Sequence, residues 1–407
     1  MTIQYDFDEL RDRRCSDSIK WRKYEQDILP MWVADMDFLS PEPVIRTLRE
    51  RIEHGFFGYP DCISDDPDQP SVLQQVIIER LARLYGWQVL PEEIFFIPGV
   101  VTGFNLACHA LVSPVEAVLI QTPVYPPILG AAKETGIQGQ EMELTLNPDG
   151  SYNVDWEAFE RSLTSKSRLF ILCNPHNPVG KVFRKDELLR MAEICLKHGV
   201  MICSDEIHCD LVYSGHEHSP IAALDPEISK NTITLMAPSK TFNLAGLQCS
   251  FAIIQNAELR KRYRHARGGL VPWVNLIGMT AAQSAYQHGD SWLAQLLQYL
   301  EANRDFLCDY VSRELPGVKL GKPQGTYLAW LDCRGAGIPA NPCSPEGVDL
   351  NPCRFFFEKG RVACNDGETF GRGGQGFVRL NFGCPRATLI EGLERIKVAL
   401  QNANQPV

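Results

Sequence analysis

Between Ile94 and Ile254 the chain alternates short apolar runs with longer segments whose apolar residues recur at helical spacing. The runs read EIFFIP, AVLIQTP, RLFILCNP, VMICSDE, TITLMAPSK and SFAII. Several are continuous, with no polar alternation, as in strands buried on both faces of a parallel sheet. Helices are predicted between them: one from about Thr102, one ending near Gly136 and one over residues 185–198. The pattern therefore predicts an α/β fold, a mostly parallel central sheet with helices on both faces.

The flanks read differently. Ser40 and Pro41 open a predicted helix that Gly55 closes, and Ser71 caps an amphipathic helix running to Leu84. Between them, residues 61–69 (DCISDDPDQ) are acidic and lack periodicity, which predicts an exposed loop. Beyond Gly278 a long helix over residues 292–315 precedes GTYLAWLD, a proline- and cysteine-bearing loop, RFFFEKG, GFVRLNFG and a last helix over 388–402. This order describes a second, smaller α+β domain. The predicted division is an N-terminal segment (1–50) packing with the small domain, a large domain (51–285) and the small C-terminal domain (286–407).

Each central strand ends in a polar or proline-bearing turn: PGVVTG, TPVYPP, NPHNPVG, SDEIHCD and APSKTFN. Ligands of open α/β sheets bind outside the carboxyl ends of the strands, so these five turns are expected to line one site. The 407 residues carry a net charge of −10 and no lysine–arginine run, which argues against a nucleic-acid partner. No stretch approaches a membrane span, and the charged opening MTIQYDFDELRDR has no apolar core of secretory length; a cytoplasmic location is expected. The 14 cysteines are scattered without a C-x-x-C pair, as small hydrophobes would be. His208, Cys209, His216 and His218 lack the spacing of a ligand set, and no metal is expected.

Lys240 lies just past a strand that Ala237-Pro238 terminates, where an amine can be aimed into a crevice to form a Schiff base with pyridoxal phosphate, although most lysines after strands are simply solvated. Such a ring needs a carboxylate at its nitrogen, amides at its phosphate and a flat partner. Asp205 closes a strand and suits the nitrogen, although a turn cap would use it equally well. The amides of Val100 and Val101, after Gly99, suit the phosphate at a helix start. Tyr125 between prolines suits stacking. Asn174 or Asn177 can offer an amide to the ring oxygen, and turn chemistry would also explain both. Arg379, inside the apolar FVRLNFG, suits a substrate carboxylate, with a structural ion pair as the alternative. Gly371, Gly373 and Gly376 match a dinucleotide fingerprint but precede a strand instead of following one, so they are set aside.

In order along the chain, NPHNPVG, SDEIHCDL and APSKTFNLAG resemble the fold-type I pyridoxal-phosphate enzymes of the aspartate aminotransferase superfamily. More narrowly, MWVADMDF, FGYP, TPVYPP, SDEIHCDLVY, SKTFNLAGLQ and VRLNFGCPR are similar to motifs of the MalY/PatB group of cystathionine β-lyases, also called cysteine-S-conjugate β-lyases. The resemblance implies pyridoxal 5′-phosphate as cofactor and a sulfur-containing amino acid as substrate. By that resemblance Lys240 bonds the cofactor and moves the Cα proton, Asp205 pairs with the ring nitrogen and Asn177 bonds the ring oxygen. Tyr125 would stack on the ring, Val100 and Val101 would bind the phosphate and Arg379 the substrate carboxylate. Tyr59 in FGYP matches a tyrosine that reaches the neighbouring subunit's phosphate, which implies a homodimer. Three departures stand out: Ala237 replaces a frequent phosphate-binding serine, and the loops 61–69 and 341–353 are unusual. The favoured reaction is α,β-elimination to pyruvate, ammonia and a thiol. An aminotransferase shares the core motifs and is the alternative, and a regulatory protein that keeps the cofactor site is a third reading.

Overall fold

The computed structural model describes residues 3–60, 70–338 and 351–403. The loop 61–69 and residues 341–350 of the second unusual loop lie outside these described residues.

The apolar runs assemble into one seven-stranded sheet. Its strands in chain order are β1 (Ile94–Ile97), β2 (Ala117–Thr122), β3 (Gln138–Glu143), β4 (Ser167–Cys173), β5 (Met201–Asp205), β6 (Thr232–Met236) and β7 (Ser250–Ile253). The spatial order is β1-β7-β6-β5-β4-β2-β3. The pairs from β6 to β3 are parallel, whereas β7 runs antiparallel to both its neighbours. Alternate side chains explain the unbroken runs. Val118 and Ile120 of β2 join a core with Phe104, Leu235 and Tyr263, while Leu119 faces the opposite way toward Phe170, Leu188 and Met191. Each such fully buried aliphatic or aromatic side chain contributes about 1.5–3 kcal/mol. β3 was not predicted: its sequence QGQEME is polar, and only Met142 of the strand is buried, because β3 is the sheet's edge.

Helix ends follow their local chemistry. Ser71 accepts from the Gln74 amide and Gln74 returns a bond to Ser71, a capping box at the start of Val72–Tyr85. Gly55, at φ 77°, closes Glu42–His54 in a left-handed turn. At the start of that helix Pro41 occupies the cap position, not Ser40. The Ser40 hydroxyl is drawn instead to the Asn243 carbonyl, 3.0 Å away in the turn that follows Lys240.

A second, four-stranded antiparallel sheet contains β8 (Lys319–Leu320), β9 (Leu328–Asp332), β10 (Asn365–Asp366) and β11 (Phe377–Asn381), in the order β8-β9-β11-β10. The long helix Asp290–Glu314 and the last helix Arg386–Ala403 share its apolar core. The N-terminal stretch is stitched to this part of the molecule: Leu29 and Pro30 pair with Val362 and Ala363, and Phe7 packs edge-on against Trp292. Among the described residues no helix is long and apolar enough to cross a membrane.

Candidate active site

A cavity of about 300 Å³ opens at the carboxyl ends of the large sheet, and all five strand-end turns reach it. They bring Val100 and Val101, Tyr125, Asn177, Asp205 and Lys240 together, and Arg379 enters from the small sheet. Asn174 does not line the cavity. It is fully buried, and its Oδ1 accepts from the Phe183 amide, which is turn chemistry. Tyr59 is fully exposed and contributes nothing to the cavity of its own chain.

Lys240 sits on the four-residue helical turn Pro238–Thr241 directly after β6. Its Nζ donates to the Ala34 carbonyl at 2.8 Å. Enclosure by protein, with the Arg379 cation adding to it, lowers the amine from its usual 10.5 to about 8, against the opposing pull of Asp35 and Asp205. A far larger fraction of it is therefore neutral at physiological pH than of an ordinary lysine. Asp205 shows the mirror image. Burial, reinforced by the charge of the adjacent Glu206, raises its carboxyl to about 7, although the Ile207 amide, 3.1 Å from Oδ1, works the other way. No cation is bonded to it among the described residues, so its ionised form calls for a positive partner inside the cavity.

Arg379 lies in β11 between β9 and β10, opposite Trp330 and Asn365. Its guanidinium donates to Asn177 Oδ1 (3.0 Å), Asn365 Oδ1 (2.7 Å) and the Trp32 carbonyl (3.1 Å), and lies over the Phe370 ring. All these partners are neutral. Burial lowers the group to about 10, its Nε lacks a partner, and no carboxylate pairs with it among the described residues. A buried, carboxylate-free guanidinium at a cavity wall is chemically suited to an anion.

Val100 and Val101 begin the helix Val100–Leu111, where the first amides have no intrahelical acceptor. Gly99 makes that turn at φ 110°, a conformation other residues rarely adopt, and its amide is fixed by Ser250 Oγ at 2.8 Å. Ala237 is buried, while Ser239, Gln248 and Ser250 line the cavity with polar groups. Tyr125 is half-buried, its hydroxyl raised by desolvation, and its amide is held by the Asn177 carbonyl at 3.0 Å. These residues fit pyridoxal phosphate: a helix start for the phosphate, an aromatic wall, an unpaired carboxylate for a ring N–H and a lysine with a depressed pKa.

His208 escaped the sequence reading as a site residue. It lines the cavity with an unpartnered Nδ1, and burial together with the cations of Lys240 and Arg379 lowers it to about 3, so it is neutral. The available signal was its place three residues after Asp205 in the same turn.

An amine past β6 facing a carboxylate at the end of β5, on a sheet of this order, defines the class of fold-type I pyridoxal-phosphate enzymes. Within that class, the chain belongs to the aminotransferase class I and II family, whose family model matches residues 35–396. It is 41% identical over 405 residues to cystathionine beta-lyase PatB of Bacillus subtilis (strain 168), covering 97% of this chain and 99% of that one. Among solved structures it is similar to a PLP-bound putative aminotransferase from Clostridium difficile 630, with a TM-score of 0.91, 38% identity and coverage of 98% of this chain and 100% of that chain. It is also similar to the PLP-bound C-S lyase from Staphylococcus hominis, with a TM-score of 0.89, 32% identity and 98% of both chains covered.

Proposed function

We propose that this protein is a pyridoxal-phosphate-dependent carbon–sulfur β-lyase that cleaves cystathionine, cystine or a related cysteine S-conjugate to pyruvate, ammonia and a thiol. The observation that carries the choice of lyase over aminotransferase is the 41% identity to cystathionine beta-lyase PatB over 97% of this chain, an extent far beyond the catalytic turns.

When bound, the cofactor supplies an electron sink for the pair left at Cα once its proton is removed. Arg379 grips the substrate carboxylate and fixes which Cα bond faces Lys240. Lys240, poised near 8, takes the Cα proton onto Nζ. The electron pair then expels the sulfur at Cβ as a thiolate. Asp205 keeps a proton on the ring nitrogen, Asn177 offers its Nδ2 to the ring oxygen and Tyr125 covers the ring face, while the amides of Val100 and Val101 hold the phosphate.

In this reading the protein is a cytoplasmic homodimer in which the exposed Tyr59 reaches the other subunit's phosphate. Segment 1–50 packs with the small domain, 286–407, beside the large cofactor-binding domain, 51–285. Hybrid dimers of Lys240→Ala and Tyr59→Phe subunits then regain activity that neither parent has. The test of the reaction is product analysis with cystathionine. Pyruvate, ammonia and homocysteine formed over many turnovers without a keto acid support the lyase. Keto-acid-dependent turnover with no pyruvate makes the protein an aminotransferase.

A further inference from the structure

Lys240 rides on a helical turn of only four residues, too short to hold its own geometry. Something outside the turn must fix where its amine points. Directly after it, Thr241 is fully buried, and its hydroxyl donates to Asp210 Oδ2 at 2.9 Å. Asp210 lies on the turn that continues from Asp205, a turn closed by the Cys209 amide on the Glu206 carbonyl and the Leu211 amide on the His208 carbonyl. The other oxygen of Asp210 accepts from Arg80 at 2.7 Å, with both side chains buried. Arg80 projects from the helix Val72–Tyr85, donates to Asp290 at 2.9 Å and lies over the Tyr286 ring.

None of Thr241, Asp210, Arg80, Asp290 and Tyr286 lines the cavity. We propose that Asp210, bridged between Thr241 and Arg80, is a positioning residue that sets the separation of the Lys240 amine from the Asp205 carboxylate. Each oxygen of the carboxylate holds one of the two partners, so a shift of Asp210 toward one lengthens its bond to the other. Because Asp205 and Asp210 share one turn, the Thr241 bond ties the lysine turn to the carboxylate turn from behind the cavity. Arg80 supplies the counter-charge to the Asp210 carboxylate there. A merely structural role would be to pin the helix Val72–Tyr85 to the sheet, and that role needs Arg80 and Asp210 but not Thr241.

The inference rests on the assignment of Lys240 as the catalytic amine, and one experiment separates the two. Borohydride reduction of the wild-type holoenzyme with peptide mapping tests Lys240 itself; a tag elsewhere ends the assignment. With Lys240 tagged, Thr241→Val removes the hydroxyl while leaving Arg80 and Asp210 paired, and Thr241→Ser restores the hydroxyl. Thr241→Val is expected to lower kcat about 10- to 100-fold with KM within about twofold, as displacement of a reacting group does. Thr241→Ser stays within about threefold of wild type. Arg83→Ala, which loosens the Asp290 contact at the surface without touching Asp210, leaves kcat unchanged. A second readout uses the cofactor-free protein. The pH midpoint for reductive methylation of Lys240, expected at about 8 in the wild type, is expected to move upward in Thr241→Val as the amine slackens toward solvent. Thermal melting checks that each variant is folded, and Thr241→Ala replaces Thr241→Val if the latter does not fold. Wild-type kcat and an unmoved midpoint in the hydroxyl-free variant overturn the proposal.

Discussion

Lys240 enters the cavity from a turn beyond the large sheet, whereas Arg379 enters from the middle of a strand in the small one. Lys240 has one bond from its amine, to a backbone carbonyl. Arg379 has three, and its strand is paired on both sides. Both cations are weakened by enclosure, but to different effect. A lysine brought to about 8 can give up its proton near physiological pH, while an arginine at about 10 stays charged. On the roles proposed for them, the two cations divide the labour: the group proposed to bond, release and carry a proton sits on a short turn, and the group proposed only to hold a carboxylate is built into a rigid strand.

Removing each group should break the comparison in a characteristic way. Lys240→Ala is expected to cost the most, about 10⁴-fold in kcat, since acid–base and nucleophilic roles are lost together. Pyruvate release under saturating cystathionine measures it. Asp205→Ala should follow, with kcat down about 10²- to 10³-fold while cofactor affinity changes far less, because the phosphate and stacking contacts remain. Equilibrium dialysis beside initial rates distinguishes the two effects. Arg379→Ala should lower kcat/KM about 10- to 100-fold, the worth of charge-assisted hydrogen bonds, chiefly through KM. Arg379→Lys should rescue little of it, because an ammonium cannot reproduce the planar fork. The smallest effect concerns pH. Only the neutral amine bonds an aldehyde, and enclosure favours the neutral form. The rate at which cofactor-free protein takes up cofactor should therefore rise through about pH 8 and level off above it, as stopped-flow absorbance would show. A rise continuing to the ordinary lysine range would mean that Lys240 is not enclosed in solution.

The same comparison explains what the sequence disclosed. Large-sheet strands such as Leu169–Cys173 read clearly because both faces are buried, and the turns after them carry residue types with chemical meaning. The edge strand Gln138–Glu143 did not, since four polar side chains and a glycine give no apolar signal, and the reversed direction of Ser250–Ile253 leaves no mark on composition. The residues of the candidate site could be named from the strand ends and the family resemblance. What holds them could not. Arg379 is fixed by the Trp32 carbonyl and Lys240 by that of Ala34, and a backbone acceptor looks the same at every position. Nor does sequence spacing show that Ser40 serves the Asn243 carbonyl 203 residues away instead of a helix start. Tyr59 is legible only through resemblance, because its proposed partner is another chain.

The division of labour is tested most directly by exchange of the alanine Cα proton with deuterated water, followed by NMR. Alanine has a Cα proton and a carboxylate but no leaving group at Cβ, so exchange isolates the proton step from elimination. Wild-type holoenzyme should exchange the proton, and Arg379→Ala should approach the same rate once alanine is raised far enough to saturate it. Lys240→Ala loaded with cofactor should exchange none. Wild-type exchange in Lys240→Ala, or loss of exchange in Arg379→Ala at every alanine concentration, would contradict the assignment of proton transfer to the turn and of binding to the strand.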